Sequence, residues 1–255
     1  MNKYVVIIIF FSTMLAYSST PSERINALRD IFLYIPSDDL TVNEVIPEPS
    51  DIKEKFGIDN RQLAEDIKNL SMKYTTAETN RENRLCRMAS IASLGEYGST
   101  NDLIYLQSVM KNSSDYARES ALEASIYLLR MTPELIPFVN EVVTNAVVYT
   151  TSLKKRVYLD LHYMSYKGNS LPNSYYVAET NVQKRIASFF LQRAALETDL
   201  TLYVDRVACE LNPSYRHSQQ RRDNLARLRP VGLTGEEADI YNYRQRDAER
   251  VADDK

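Results

Sequence analysis

Asp102-Leu103-Ile104-Tyr105-Leu106, Glu134-Leu135-Ile136-Pro137-Phe138 and Asp199-Leu200-Thr201-Leu202-Tyr203 carry one pattern three times. An acid is followed by Leu, then by an apolar residue or Thr, and a large apolar or aromatic residue stands four after the acid. Each copy follows a helix-like segment that opens near an arginine: Arg84, Arg118 or Arg185. Recurrence on this scale is expected of stacked helical hairpins, because one hairpin alone cannot bury its apolar face.

The segments around these copies support an all-α reading. Ile25, Leu28, Ile31, Phe32 and Ile35 share one face of a helix expected over 22–35. Pro36 and the Pro47-Glu48-Pro49 run mark an irregular connection. A short helix over 51–56 is stopped by Gly57, and Asp59 with Gln62 caps the next. Capping pairs recur at Thr79 with Glu82, Thr180 with Gln183 and Thr234 with Glu237, where hydroxyl and side-chain acceptor satisfy two orphan amides reciprocally. Thr132-Pro133 reads as an N-cap with proline at the first helical position, and Ser99 and Thr198 are further start signals. The expected stripes are Leu85, Met88, Ala89 and Ala92; Ala121, Leu122, Ser125, Leu128 and Leu129; Val157, Leu161 and Met164; Ile186, Phe189, Phe190 and Ala194; and Leu200, Tyr203, Val204, Val207 and Leu211. Each covers one side of its helix and must pack on a neighbour.

Helices led by Arg84, Arg118, Arg156, Arg185 and Arg222 recur at irregular separations, averaging near the helical-repeat period of roughly 35 to 45 residues. The run Arg118-Glu119-Ser120-Ala121-Leu122-Glu123-Ala124 and the second helix opening Leu135-Ile136-Pro137-Phe138 resemble the HEAT or armadillo-like α-helical repeats over roughly residues 79–228. The resemblance implies an α-solenoid of HEAT-like hairpins. The irregular spacing and the insertion over 167–178 leave an irregular helical bundle as the alternative. The expected organisation is a signal peptide over 1–18, an N-terminal helical cap over 19–78, the repeats over 79–229 and a charged helix or tail over 230–255.

The first eighteen residues pair Lys3 with an apolar run over 4–15 and small residues at Ala16 and Ser18, the layout of a cleavable secretory signal. The run is shorter than the roughly 20 apolar residues of a spanning helix. The expected location is extracytoplasmic, periplasmic or secreted, with no membrane contact after cleavage. Cys86 and Cys209 fall in distant repeats, and a solenoid keeps such positions further apart than the roughly 7 Å a bridge allows, so they are expected as separate thiols.

Composition narrows the function. A net charge of −3 gives no electrostatic footprint for nucleic acid. The helix-turn-helix-like hairpin over 51–70 carries Glu65 and Asp66 against Arg61 and Lys68, which is no basic face. There is no phosphate loop, HExxH, GxSxG or CxxC, so no catalytic residue, metal ligand or cofactor is assigned. His162 and His217 lack ligand partners at helical spacing. The basic stretch over 215–229 reads as a solvated helix balanced by the acidic tail.

Tyrosine is the functional signal, at 18 residues with Trp absent. Tyr163, Tyr166, Asn169, Tyr175 and Tyr176 cluster at the 167–178 insertion and are the candidate partner-binding residues. Tyr offers large contact area at low entropic cost with a hydrogen-bonding tip, and so is enriched at interfaces. The expected function is a scaffold that binds another protein. The alternatives are an extracytoplasmic enzyme on cell-wall or polysaccharide material using dispersed carboxylates, and a self-associating envelope component.

Overall fold

The structure, a computed structural model, describes residues 19–34, 47–74, 80–113, 115–145, 151–165, 180–228 and 235–249. Among them every regular element is helical: α1 (Pro21–Phe32), α2 (Pro49–Phe56), α3 (Asn60–Lys73), α4 (Arg81–Tyr97), a 3-10 turn (Thr100–Asp102), α5 (Leu103–Asn112), α6 (Asp115–Leu129), α7 (Leu135–Thr144), α8 (Thr151–Ser165), α9 (Thr180–Arg193), α10 (Thr201–Leu211), α11 (Gln219–Arg227) and α12 (Gly235–Glu249). The all-α expectation holds. None of these helices is long and apolar enough to cross a membrane. The expected signal segment over 1–18 lies outside the described residues. The chain divides into two compact units, Met1–Leu128 and Leu129–Lys255.

In the first unit, α1 packs on α2, α3 and α4, and α3 on α4. Leu28, Leu63, Ile67, Leu70, Ile91 and Leu94 are fully buried there. Burying each such side chain is worth about 1.5–3 kcal/mol. The helix starts follow local chemistry. Thr20 and Glu23 form a reciprocal capping box with Pro21 at the first helical position. Asp59 accepts from the Gln62 amide at 2.8 Å, as expected. Gly57 takes the left-handed conformation (φ 62°) that ends α2, which glycine adopts without a Cβ penalty. The hairpin over 51–70 is thus an αα-hairpin, with Lys68 drawn to Glu65 and Asp102. Arg24 and Asp66, both buried, tie α1 to α3 through two hydrogen bonds of 2.6 and 3.2 Å.

Several expected starts move. Asn80 caps α4, accepting from the Glu82 amide at 2.8 Å, a role the sequence assigns to Thr79. Thr79 lies outside the described residues. Thr132 does not cap α7. Its hydroxyl donates to the Leu129 carbonyl at 3.1 Å, closing the turn after α6, and α7 starts at Leu135. Thr198 also precedes its helix, which begins at Thr201, whose hydroxyl donates to Glu197 O at 2.7 Å.

The buried face of α4 differs too. Leu85 and Ala92 are exposed, and Cys86, Ser90, Ile91, Leu94 and Gly95 are buried. Small residues win because α6 approaches closely. A methyl group on Gly95 would sit 3.0 Å from the Ala124 Cα and 3.3 Å from the Tyr127 Cβ. Gly95→Ala is expected to lower stability by about 1 kcal/mol. The overpacking cost of about 1–3 kcal/mol exceeds the roughly 0.5–1 kcal/mol gained in helix propensity. A raised melting temperature for this variant would contradict the close approach.

In the second unit, α7 packs on α8 and α9, α8 on α9 and α10, and α9 on α10. Leu135, Val139, Val157, Leu161, Ile186, Phe190, Val204 and Val207 form the buried face, which matches the stripes expected for α8 and α9; of the stripe expected for α10 only Val204 and Val207 are buried, and Leu200, Tyr203 and Leu211 are half-buried. Tyr158 is fully buried and tilts against Phe189 and Phe190, with ring centroids 6.1 and 5.7 Å away. α12 packs on α11 through Leu225, Tyr241 and Ala248, and the Tyr241 hydroxyl donates to Leu225 O at 2.6 Å.

Candidate functional site

The second unit holds two buried charge networks that fix its helices. In the first, Glu197 is 1 % exposed and accepts from Tyr158 (2.6 Å) and Arg193 (2.9 Å), with Lys154 at 3.8 Å. Lys154 also donates to Asp199 at 3.0 Å. Burial drives the Glu197 carboxyl up. The hydrogen bonds from Tyr158 and Arg193 and the Lys154 charge outweigh it and hold the group below its ordinary value. Burial and the Glu197 carboxylate together push the Tyr158 phenol far up.

The second network is centred on Arg221, whose side chain is 1 % exposed. Its Nε and Nη2 each donate to Asp205 at 3.0 Å, and its Nη1 donates to Asp247 (3.0 Å) and Arg216 O (2.8 Å). Arg216 donates to Asp247 at 3.1 Å, and Arg244 to Asp205 at 2.9 Å. Burial opposes the Asp247 charge, but Arg216 and Arg221 hold its carboxyl below the ordinary range. Much of the basic stretch over 215–229 is therefore engaged within the fold, and Arg221 is buried rather than solvated as expected. Arg222 donates to Ala248 O and Arg227 to Ala195 O.

Above this framework α8 and α10 build a surface cluster. Tyr203, Arg206 and Glu210 stand at i, i+3 and i+7, on one face of α10. His162 of α8 joins them: Nε2 lies 2.8 Å from Glu210 Oε2, and Nδ1 lies 3.3 Å from the Tyr203 hydroxyl. Both ring nitrogens are engaged, so the side chain links α8 to α10. Tyr163 stacks on His162 with ring centroids 6.4 Å apart and is 48 % exposed. Arg206 lies 5.1 Å over the Tyr203 ring and 3.7 Å from Glu210. Burial raises the Tyr203 phenol to about 12, so it is a neutral donor at physiological pH.

Arg206 and Glu210 also line a groove of about 230 Å³ together with Cys209, Arg216, Tyr243 and Arg244. Tyr243 is 60 % exposed. Cys209 is half-buried and Cys86 fully buried, and both are free thiols, as expected. Burial pushes the Cys209 thiol up to about 12, so it carries no thiolate to act as a nucleophile. A second, shallower groove of about 370 Å³ lies between α7 and α9, lined by Pro133, Ile136, Pro137, Lys184, Arg185 and Phe189 among others.

Of the candidate residues read from sequence, Tyr163 stands in the α8–α10 cluster. Tyr166, Asn169, Tyr175 and Tyr176 lie outside the described residues. Sequence reading missed Tyr203, Arg206, Glu210, Tyr243 and Arg244. The i, i+3, i+7 spacing of the first three was a legible signal, whereas nothing in the sequence placed α12 against α10. No group of three or more His, Cys, Asp or Glu side chains among the described residues is arranged to hold a metal ion. No family model matches this chain, and no curated protein or solved structure does either.

Proposed function

We propose that this chain is an exported helical-repeat protein, HEAT-like in plan, that serves as a scaffold for binding another protein. Helices of the second unit that pack on the next and next-but-one helix support the repeat reading, since solenoid hairpins contact only near neighbours. The segment over 1–18 supports the extracytoplasmic location.

The carrying observation is the pair of exposed tyrosines mounted on a rigid polar frame. Tyr243 lines the arginine groove, and Tyr163 stacks on His162, whose partner Glu210 lines the same groove. Tyr and Arg are the residues most enriched among interface hot spots. Glycoside hydrolysis commonly uses two carboxylates facing each other across the scissile bond. In this region Asp205 and Asp247 are both bound to Arg221, and Glu210 is engaged by His162 and Arg206.

Tyr163→Ala combined with Tyr243→Ala is expected to leave thermal stability within about 0.5 kcal/mol, because neither ring lies in the core. The same variant should weaken partner binding by about 30-fold or more, the equivalent of one hot spot. Partner affinity unchanged in the double variant would remove this site from the account.

A further inference from the structure

We infer that the arginine-lined groove of the second unit receives an acidic segment of a protein partner, binding its carboxylates with Arg206, Arg216 and Arg244. This inference rests on the docking reading above and names the chemistry of the partner.

Four guanidinium groups meet at the groove, from Arg206, Arg216, Arg221 and Arg244. The carboxylates engaging them are Asp205, Asp247 and Glu210, so the groove carries one positive charge more than its acids neutralise. This local excess sits in a chain whose net charge is −3. Arg221 is fully committed, with every nitrogen bonded to Asp205, Asp247 or Arg216 O. The other three are not. Among the described residues, Arg216 engages a carboxylate through Nη2 alone, Arg244 through Nη1 alone, and Arg206 through Nε at the long distance of 3.7 Å. Among the described residues the buried Nε of Arg244 has no hydrogen-bond partner. A guanidinium carries five N–H donors in a planar fork suited to bidentate carboxylate binding.

The frame holds these heads in place. Asp205 and Asp247 are themselves held by Arg221, so Arg244 and Arg216 are each anchored to the frame at one terminal nitrogen. The wall is mostly charged, with one aromatic ring and one thiol set among the charges. Tyr243 and Cys209 line it beside the arginines. A peptide bearing carboxylates on short aliphatic stems offers apolar contact to such a wall as well as charge, which a free inorganic anion does not.

The test is fluorescence anisotropy with a fluorescein-labelled hexaglutamate peptide at low ionic strength, where exposed charges are least screened. Saturable binding is expected, weakening with salt. Arg206→Gln with Arg216→Gln should weaken it at least tenfold. These side chains are about half exposed (48 % and 52 %), and their loss leaves Glu210 on His162 and Asp247 on Arg221, so the fold is retained. Arg185→Gln, outside the groove, should bind as the parent does. No saturable binding, or equal affinity in the double variant, overturns the inference. So does displacement of the peptide by inorganic phosphate at equal concentration, which would mark a small-anion site. If hexaglutamate fails while the Tyr163→Ala, Tyr243→Ala protein still loses its partner, the docking face stands and its acidic ligand falls. The reverse pattern keeps the groove and removes the docking reading.

Discussion

Arg221→Ala is expected to destabilise the second unit by about 3–5 kcal/mol, the cost of leaving a buried charge uncompensated. Arg221 and Asp205 have side chains 1 % and 4 % exposed, so water cannot replace the lost contacts. Asp205 would keep only Arg244, and Asp247 only Arg216. The loss is electrostatic as well as steric, and a second substitution separates the two. Arg221→Met refills much of the volume but leaves Asp205 buried and charged, so it should recover little. Arg221→Met with Asp205→Leu removes both charges and should recover a large part of the loss, because well-packed apolar residues commonly replace a buried ion pair at small cost. Urea unfolding followed by circular dichroism reads all three variants. Full recovery by Met alone would mean that Arg221 acts as a spacer, and that the charge network does not fix α10, α11 and α12 together.

Glu197→Ala should cost a similar amount, about 3–5 kcal/mol, by stranding Arg193 and the Tyr158 phenol at once, while Lys154 keeps Asp199. Arg193 and Lys154 have side chains only 10 % exposed, and the Tyr158 hydroxyl would lose its acceptor. The same carboxylate sets an acid limit on stability. Its folded-state pKa lies below the ordinary 4.5, so the folded protein binds this proton less tightly than the unfolded chain. The stabilisation is therefore complete above about pH 4.5 and is lost progressively as pH falls through the depressed value. Asp199, held down first by its hydrogen bond from Lys154, and Asp247, held down by Arg216 and Arg221 against burial, add losses of the same sign below their ordinary 3.8. Melting temperatures scanned downward from pH 6 should fall once pH drops below about 4.5. Glu197→Gln should start lower in stability and lose less on acidification. An acid dependence identical in parent and Glu197→Gln would mean that Glu197 is not charged in the fold.

Helical periodicity alone makes most of the second unit's core legible, because Ile186, Phe189, Phe190, Val204 and Val207 are large, regularly spaced and unambiguous. It misplaces the face of α4, where Gly95, Ser90 and Cys86 are buried. A search for apolar stripes weights large side chains, whereas a close helix–helix approach selects small ones. The caps are legible as chemistry but not to the residue. Asn80 takes the role read into Thr79, since either acceptor one position apart can reach an orphan amide. The site is legible only in part. Tyr163 can be picked out by its residue type and place in the chain. His162, Glu210, Tyr243 and Arg244 meet through contacts made 39 to 48 residues apart or through packing of α12, which no local pattern encodes. The basic run over 215–229 reads as solvated because composition does not reveal that Arg221 turns inward onto Asp205.

The claim that this chain binds a protein through its tyrosine–arginine face is tested most directly by site-specific photo-crosslinking in the native cell. A benzophenone amino acid replaces Tyr243 in one variant and Tyr116, an equally exposed tyrosine of the first unit at 68 %, in another. The account predicts one recurring protein adduct from position 243 that is absent from position 116 and is lost when Arg206→Gln and Arg216→Gln are added. No adduct at 243, or the same adducts from both positions, would contradict it.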